Sequence, residues 1–595
     1  MPPAAEYLAR LDARRNTHVR LLQLDARLSY WRLAVFAAAA VTGWLAWRGI
    51  LHPAWVVAVA IAFVALVKRH DTVIRERQAA ARAISFYERG LARIEDRWMG
   101  SGEPGERFRD EGHLYANDLD LFGRGSLFEL LSIARTRAGE ETLASWLTRP
   151  AQPPAIAARR AGVEELTPML DLREALAMAG ADIRAEVHTE ALTAWAAAPD
   201  QLRMRRLRPV FALLTAAAVA AAAAWAIYDT AWPLVNVVVL QALISWPMRK
   251  RIDHVLHAVS QPSRDLDVLA DVLQRLEPEH FESPRLAELC ASLAEEGRNA
   301  SQAIGSLRRL SEAHDWQHNL IFAMVSAPLM WGTHLAYAIE SWRRRHGPHV
   351  ARWLATVGEF EAFSSLSAYR YEHPDDVFAD LVEEGPARFE GEALGHPLIP
   401  AARMVANDVH LGGPSQLLVV SGSNMSGKST LLRTVGINAV LALAGAPVRA
   451  ASLRLTPLAV GATLRIQDSL QEGRSRFFAE ITRVRSLASL ATGSPPLLFL
   501  LDELFHGTNS HDRLVGATGV LRSLLDRGAI GLITTHDLAL TQIAADVGPR
   551  AVNVHFEDRF ESGEIRFDYR MKSGPVTHSN ALALMRAVGL DVEQQ

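Results

Sequence analysis

One cysteine, Cys290, stands among 595 residues, so no disulfide can form within the chain, and the usage suits a reducing compartment. It falls in the helical run 286–293, with Ser283 expected as N-cap and Pro284 in the first turn, and is read as a packing residue. Charge of one sign is also missing: 63 Lys and Arg against 66 Asp and Glu leave a formal net charge of −3, so no global mark of a polyanion-binding protein is present. Repeats of fixed period are absent, which excludes a solenoid, and the only biased tract is the alanine-rich stretch 216–224. The middles of the four long apolar stretches hold no ionisable side chain, which suits anchors and excludes a charged path through them.

Those stretches come in pairs, 31–47 with 54–67 around the turn 48–53, and 209–228 with 231–246 around Asp229 and Thr230. Each pair predicts a helical hairpin. Basic residues flank both on the same side: Arg20, Arg27, Lys68 and Arg69 for the first, Arg206, Arg208, Arg249, Lys250 and Arg251 for the second. By the positive-inside rule both hairpins enter and leave from the cytoplasm, and Trp31, Trp47, Trp55, Trp225, Trp232 and Trp246 fit an aromatic belt. The expectation is four spans in the inner (cytoplasmic) membrane with the C-terminal part in the cytoplasm. The alternative is a cytoplasmic protein that buries these helices, because 216–224 is mostly alanine and 54–67 is short for a span. The basic run before residue 31 is longer than a signal n-region and no small-residue cleavage site follows, so no cleavable signal is expected. A fifth apolar region, 320–338, contains Trp331, Thr333 and His334 and is expected as a soluble core helix.

Chemistry gathers near the C-terminus. Residues 416–420 read as a buried strand and 429–443 as a helix, and between them Gly422, Ser423, Asn424, Met425, Ser426, Gly427, Lys428, Ser429 and Thr430 fit G-x-x-x-x-G-K-[ST]. The glycines let successive N–H groups and a helix N-terminus face a triphosphate, Lys428 reaches the β- and γ-phosphates, and Ser429 can ligate magnesium, so ATP and Mg²⁺ are the expected cofactors. The apolar run 496–501 ends in Asp502 and Glu503, as a strand covered on both faces would. Strand alternation sends these carboxylates to different sides, which suits Asp502 to the magnesium shell and Glu503 to polarising the attacking water. A third core strand, 531–535, delivers His536 to the same sheet edge, where it can sense the γ-phosphate.

The sequence from Asn424 to Thr430, then Asp468, Leu470, Gly473, Arg474, Ser475, Phe477 and Glu480, then Asp502, Glu503, Gly507, Thr508 and Asp512, then Thr535 and His536 resembles the ATPase domain of the MutS family. The likeness extends to the segments 553–556 and 569–574 and a helix over 581–590, and upstream to 120–131 and 136–150, which are similar to the start of the family's helical core, and to 396–398 at the entry to the nucleotide domain. The resemblance implies an ATPase whose site is completed in trans in a homodimer, with Ser475 meeting the γ-phosphate held by the partner. Three positions depart from the usual family wording: Ser423 replaces proline, Ser426 replaces glycine, and Phe505 with His506 replaces a glycine-arginine pair. None removes a catalytic group.

The expected fold is therefore an α/β P-loop ATPase domain (386–595) on an all-α MutS-like core (115–200 and 256–385), with two transmembrane helical hairpins, one following an N-terminal helix (1–100) and one inserted at 201–255. Phe86-Tyr87-Glu88 matches the words of the family's mismatch-reading Phe-x-Glu motif, but only about thirty residues separate it from the core start, and 79–94 reads as a charged helix rather than a reading domain. Two functions stay open: a MutS-type ATPase with DNA binding akin to mismatch repair, and a membrane-anchored mechanochemical ATPase acting on a protein or lipid partner. An exporter is the weakest reading, because the Leu-Ser-Gly-Gly-Gln signature is absent.

Overall fold

A computed structural model describes residues 2–52, 54–179, 189–202, 207–295, 298–316, 322, 325–423, 425–465, 476–505, 509–561 and 564–576. The chain divides into two compact units: Met1–Ile133, Leu143–Leu170 and Phe363–Gln595 form the first, and Ala134–Thr142 with Asp171–Ala362 the second.

The first unit opens with a long antiparallel pair, α1 (Pro3–Trp47) and α2 (Ala54–Ile94). Its lower half is a stalk in which Leu21, Val73 and Ala80 pack together. Polar ties flank that contact: Arg15 to Glu88 at 2.7 Å, and Asp25 held by His70 at 2.6 Å and by Arg77. At the stalk base Tyr7, Phe86, Tyr87 and Tyr371 form an aromatic cluster with ring centroids 5.1 to 6.4 Å apart. Gly90 belongs there for a steric reason, since a Cβ would strike the Tyr7 ring. The motif 120–131 is a loop wound around one carboxylate: Glu129 accepts from the N–H groups of Gly100, Gly102 and Gly125, while Ser126 caps the short helix Leu127–Leu131 by accepting from the Glu129 N–H. Phe86 is thus a core side chain, 3% exposed, and not a protruding wedge.

Among the described residues the regular elements of the second unit are helices apart from the paired dipeptides β1 (Ala294–Glu295) and β2 (Arg298–Asn299). Helices Arg208–Tyr228 and Trp232–Ser245 form the second hairpin, turning at Asp229 with φ 52°. One face of the first of these helices is packed through Phe211, Leu214, Ala218 and Ala221, while Leu213, Ile227, Trp232 and Leu243 stay exposed. The buried Glu361 accepts from Thr136 Oγ1 at 2.6 Å, and burial pushes its carboxyl up to about 7. Cys290 is half-buried with its thiol pushed up to about 11 by burial, as a packing cysteine should be. Ser283 sits at the N-cap of Pro284–Ala291 but makes no capping bond with its side chain.

Among the described residues two helices are long and apolar enough to cross a membrane, α1 and Arg208–Tyr228. Of the four expected spans only these two have the length and composition: the apolar part of α2 stops at Lys68, about 21 Å along the helix, and Trp232–Ser245 has 14 residues. The region 320–338 is not one helix either. Residues 327–330 form a turn with Met330 at φ 47°, and the helix Trp331–Glu372 starts after it.

The C-terminal part of the first unit holds two sheets. The smaller has the order β3 (Asp380–Leu381), β7 (Ser452–Leu455), β4 (Phe389–Leu394), β5 (Asn407–Leu411). The larger runs β12 (Glu564–Ser573), β11 (Ala551–Glu561), β6 (Leu417–Ser421), β10 (Ile530–Thr535), β9 (Leu497–Asp502), β8 (Ala459–Thr463). Every pair from β11 to β8 is parallel, and β12 closes the edge antiparallel to β11. All residues of β6, β8 and β10 are buried, which explains why none of the three strands carries a charge. The expected closing strands 553–556 and 569–574 are this β11–β12 hairpin, with Val554 opposite Ser573 and Phe556 opposite Met571. The expected helix 581–590 lies outside the described residues.

Candidate nucleotide site

Parallel pairing in register puts three strand ends side by side: Thr535 is opposite Ser421, and Thr534 is opposite Asp502. The loop leaving β6 turns at Gly422 (φ 152°) and Gly427 (φ 107°), and Gly427 caps the helix Lys428–Ala444. A Cβ at Gly422 would crowd Ser426 Oγ and the Phe556 carbonyl at 2.9 Å, so the turn has room for glycine alone. Met425, at φ 69°, stands out of the loop and is 85% exposed.

The side chains within this frame are mutually bonded. Lys428 Nζ donates to the carbonyls of Gly422 at 2.9 Å and Ser423 at 2.7 Å, and burial holds its pKa below the ordinary lysine value against the pull of Glu503 and Asp502. Ser429 Oγ donates to Asp502 Oδ2 at 2.7 Å, and the Thr534 hydroxyl donates to the other carboxylate oxygen. Glu503, with φ 49°, gives its N–H to the Thr534 carbonyl and hydroxyl, both at 3.2 Å, and its Oε1 lies 3.0 Å from His536 Nδ1. The two carboxylates therefore face different partners, but β9 ends at Asp502 and it is the left-handed turn at Glu503, not strand alternation, that sets them apart. Below them Glu480 accepts from the Phe505 N–H at 2.5 Å, and Arg513 donates to the Phe505 carbonyl at 3.2 Å, which fixes the turn after Glu503.

Two features suit this loop to phosphate. Among the described residues the buried Ser423 and Ser426 hydroxyls have no hydrogen-bond partner, and an oxyanion in the loop would satisfy them together with the helix N-terminal N–H groups. Ser429 and Asp502 offer a hydroxyl and one carboxylate for a cation, and no cluster of three or more His, Cys, Asp or Glu side chains is present among the described residues. That sparse set fits magnesium, which keeps waters and substrate phosphates in its shell, rather than a metal held by a dedicated protein cage.

A cavity of about 720 Å³ opens beside the loop, lined by Gly427, Thr430, Leu431 and Thr434 on one side and by His396, Met404, Val405, Asn407, Phe556 and Tyr569 on the other. Its lining of aromatic, thioether and aliphatic groups with a few polar ones suits a planar base. Tyr569, at φ 53°, is held there by Asn407, which donates to the Tyr569 carbonyl at 3.0 Å and accepts from the Met571 N–H at 2.7 Å. The motif reading missed this wall. Its signals, Asn407 before an alternating strand and Tyr569 in a closing strand, have no fixed spacing from the glycine loop.

Of the predicted site residues, Gly422, Ser423, Met425, Ser426, Gly427, Lys428, Ser429 and Thr430 share one turn and helix start, and Asp502, Glu503 and His536 meet them at the sheet edge. Asn424 and Ser475 lie outside the described residues, as do Asp468, Leu470, Gly473, Arg474, His506, Gly507 and Thr508. Residues 418–593 match the model of the family described as MutS domain V.

Proposed function

This chain belongs to the MutS family through its C-terminal domain, and we propose that it is a Mg²⁺-dependent ATPase, active as a homodimer, that the N-terminal and central hairpins anchor in the inner membrane. The observation that carries the nucleotide reading is the convergence of Lys428, Ser429, Asp502, Glu503 and His536 around a loop with two buried hydroxyls that have no partner among the described residues, beside a base-sized cavity. In this reading Lys428 and the loop N–H groups bind the triphosphate, Tyr569 and Phe556 line the base site, and Ser429 and Asp502 would hold magnesium, which supplies charge neutralisation on the phosphates. Glu503 orients a water and takes up its proton, and His536 keeps the Glu503 carboxylate aimed. Ser475 acts on the nucleotide of the partner protomer.

The membrane reading rests on α1, none of whose most apolar window is buried, and on Arg208–Tyr228, both flanked by basic residues. Mismatch repair is the less favoured role, because Phe86 is packed against Tyr7 and Tyr87 and the chain has near-neutral charge. We therefore favour a mechanochemical ATPase with a protein or lipid partner over a mismatch reader. Steady-state ATP hydrolysis by the full chain in bilayer discs, with and without paired, mispaired and branched duplex, tests the choice. Stimulation specific to mispaired duplex would restore the repair reading. The complementation of Lys428→Ala chains by Ser475→Arg chains tests the shared site, with at most one working site expected per mixed dimer.

A further inference from the structure

Buried polar groups lead from the helix that carries Lys428 to Tyr369 and, one turn along the helix of Tyr369, from Glu372 to the base of the α1–α2 stalk, all within the first unit. They begin at Asn438, fully buried on the helix Lys428–Ala444, whose Nδ2 donates to the carbonyls of Gly395 and Thr434 at 2.9 and 2.8 Å. Thr434 itself lines the cavity beside the glycine loop. Asn438 Oδ1 accepts from the Arg449 N–H at 2.8 Å, and Arg449 Nε stands 2.8 Å from Asp376 Oδ1 as a charge contact. Asp376 Oδ2 accepts from the Tyr369 hydroxyl at 2.6 Å. One turn further along the same helix, Glu372 receives Arg93 of α2 in a two-point contact, 2.6 Å at each oxygen, and the Tyr7 hydroxyl of α1 at 3.2 Å.

Fully desolvated charges are a costly way to hold two elements together, since apolar residues of like volume commonly serve as well or better. What such a pair adds is a fixed geometry: the fork of Arg93 allows one orientation of α2 against the helix end at Glu372. We propose that this network couples the nucleotide site to the N-terminal hairpin, so that filling the glycine loop shifts the set of the stalk, and the stalk in return alters nucleotide affinity by the same factor. The inference rests on the nucleotide reading above. Arg93 and Glu372 are positioning residues: neither touches the loop.

Amide hydrogen exchange of the full chain in bilayer discs, with Mg²⁺ and a non-hydrolysable ATP analogue or without them, reads the coupling. Residues 3–28 and 68–94 of the wild type should change exchange rate by about fivefold or more on nucleotide binding. Arg93→Met combined with Glu372→Met removes both charges and keeps an apolar contact, and Tyr369→Phe removes one hydroxyl while keeping the ring. Both should bind a fluorescent ATP analogue within about threefold of the wild type, yet lose the stalk response, whereas Arg93→Lys should retain part of it. A stalk response that persists undiminished in both variants overturns the proposal. So does a wild type that binds nucleotide with no change in the stalk, which leaves the nucleotide reading standing. A wild type that binds no nucleotide overturns both together.

Discussion

His536 Nδ1 lies 3.0 Å from Glu503 Oε1 across the ends of two neighbouring parallel strands, while Asp502, one residue back, is turned to Ser429 and Thr534. The sheet thus separates a carboxylate suited to a cation from one suited to a water. Glu503→Gln should bind ATP and lower turnover by about 10² to 10⁴-fold, the usual worth of a positioned base, and His536→Ala should lower turnover with binding preserved. Lys428→Ala should lose nucleotide binding outright. Equilibrium binding of a fluorescent analogue alongside phosphate release separates these outcomes, and near-normal turnover in Glu503→Gln would remove Glu503 from its role.

The cavity wall makes a prediction of another kind. Tyr569→Ala should weaken ATP binding by about tenfold, roughly the 1.4 kcal/mol that aromatic packing supplies, with a smaller effect on affinity for inorganic triphosphate. Tyr569→Phe should bind nearly as the wild type. Asn407→Ala should follow Tyr569→Ala, because Asn407 holds both sides of the Tyr569 turn. Equal losses for ATP and triphosphate would place the base elsewhere.

Two histidines of the first unit set an acid limit. Burial, with Arg433 and Arg449 nearby, brings His396 down to about 4, and burial with Arg449 brings His373 to about 3. Both are neutral in the folded state, whereas an unfolded histidine takes up its proton near pH 6.5. The unfolded chain therefore binds more protons below that value, and stability falls as pH drops from about 6.5 toward 4. At about 1.4 kcal/mol per pH unit for each group, the loss is several kcal/mol. Thermal unfolding between pH 7.5 and 5 should show it, and His396→Gln should flatten the slope; an unchanged slope would assign the acid sensitivity to other groups.

Phe86→Ala should destabilise the stalk base by about 3 kcal/mol, the cost of emptying an aromatic site in a core, and leave any DNA affinity and its salt dependence unchanged. Chemical unfolding and duplex titration on the same preparation check both halves. A preference for mispaired duplex that disappears in this variant would contradict the burial argument.

If the hairpins anchor the chain, it should stay with membranes through alkaline carbonate and require detergent for release. Tags at residues 49 and 229 should be reachable only from outside, and a tag in the segment 100–130 only from the cytoplasm. A monodisperse protein obtained without detergent would refute the anchor.

The nucleotide loop and sheet edge were legible in the sequence because their chemistry demands fixed local spacing: Gly422, Gly427 and Lys428 serve one loop, and Asp502 and His536 close two apolar runs. The base wall was not, since Tyr569 joins Asn407 from 162 positions along the chain, held by hydrogen bonds that carry no periodicity. The apolar hairpins were visible as runs, 54–67 as a short one, but not that the helix carrying it continues past Lys68 to Ile94. At Phe86 the context outweighed the motif: 79–94 reads as a helix and is one, while the packing against Tyr7 that buries the ring is not visible in three residues.

Arg93 and Glu372 are 279 positions apart in the chain, so their pairing has a consequence for biogenesis. At roughly 5 to 20 residues per second, a ribosome needs on the order of tens of seconds to make Glu372 after Arg93, and longer to complete the sheet in which β6 awaits β10 and β11. The N-terminal hairpin must therefore leave the ribosome, and reach any bilayer it enters, before Arg93 and the Tyr7 hydroxyl can meet Glu372. The order of synthesis places the hairpin first and leaves it to be locked only once Glu372 has been made.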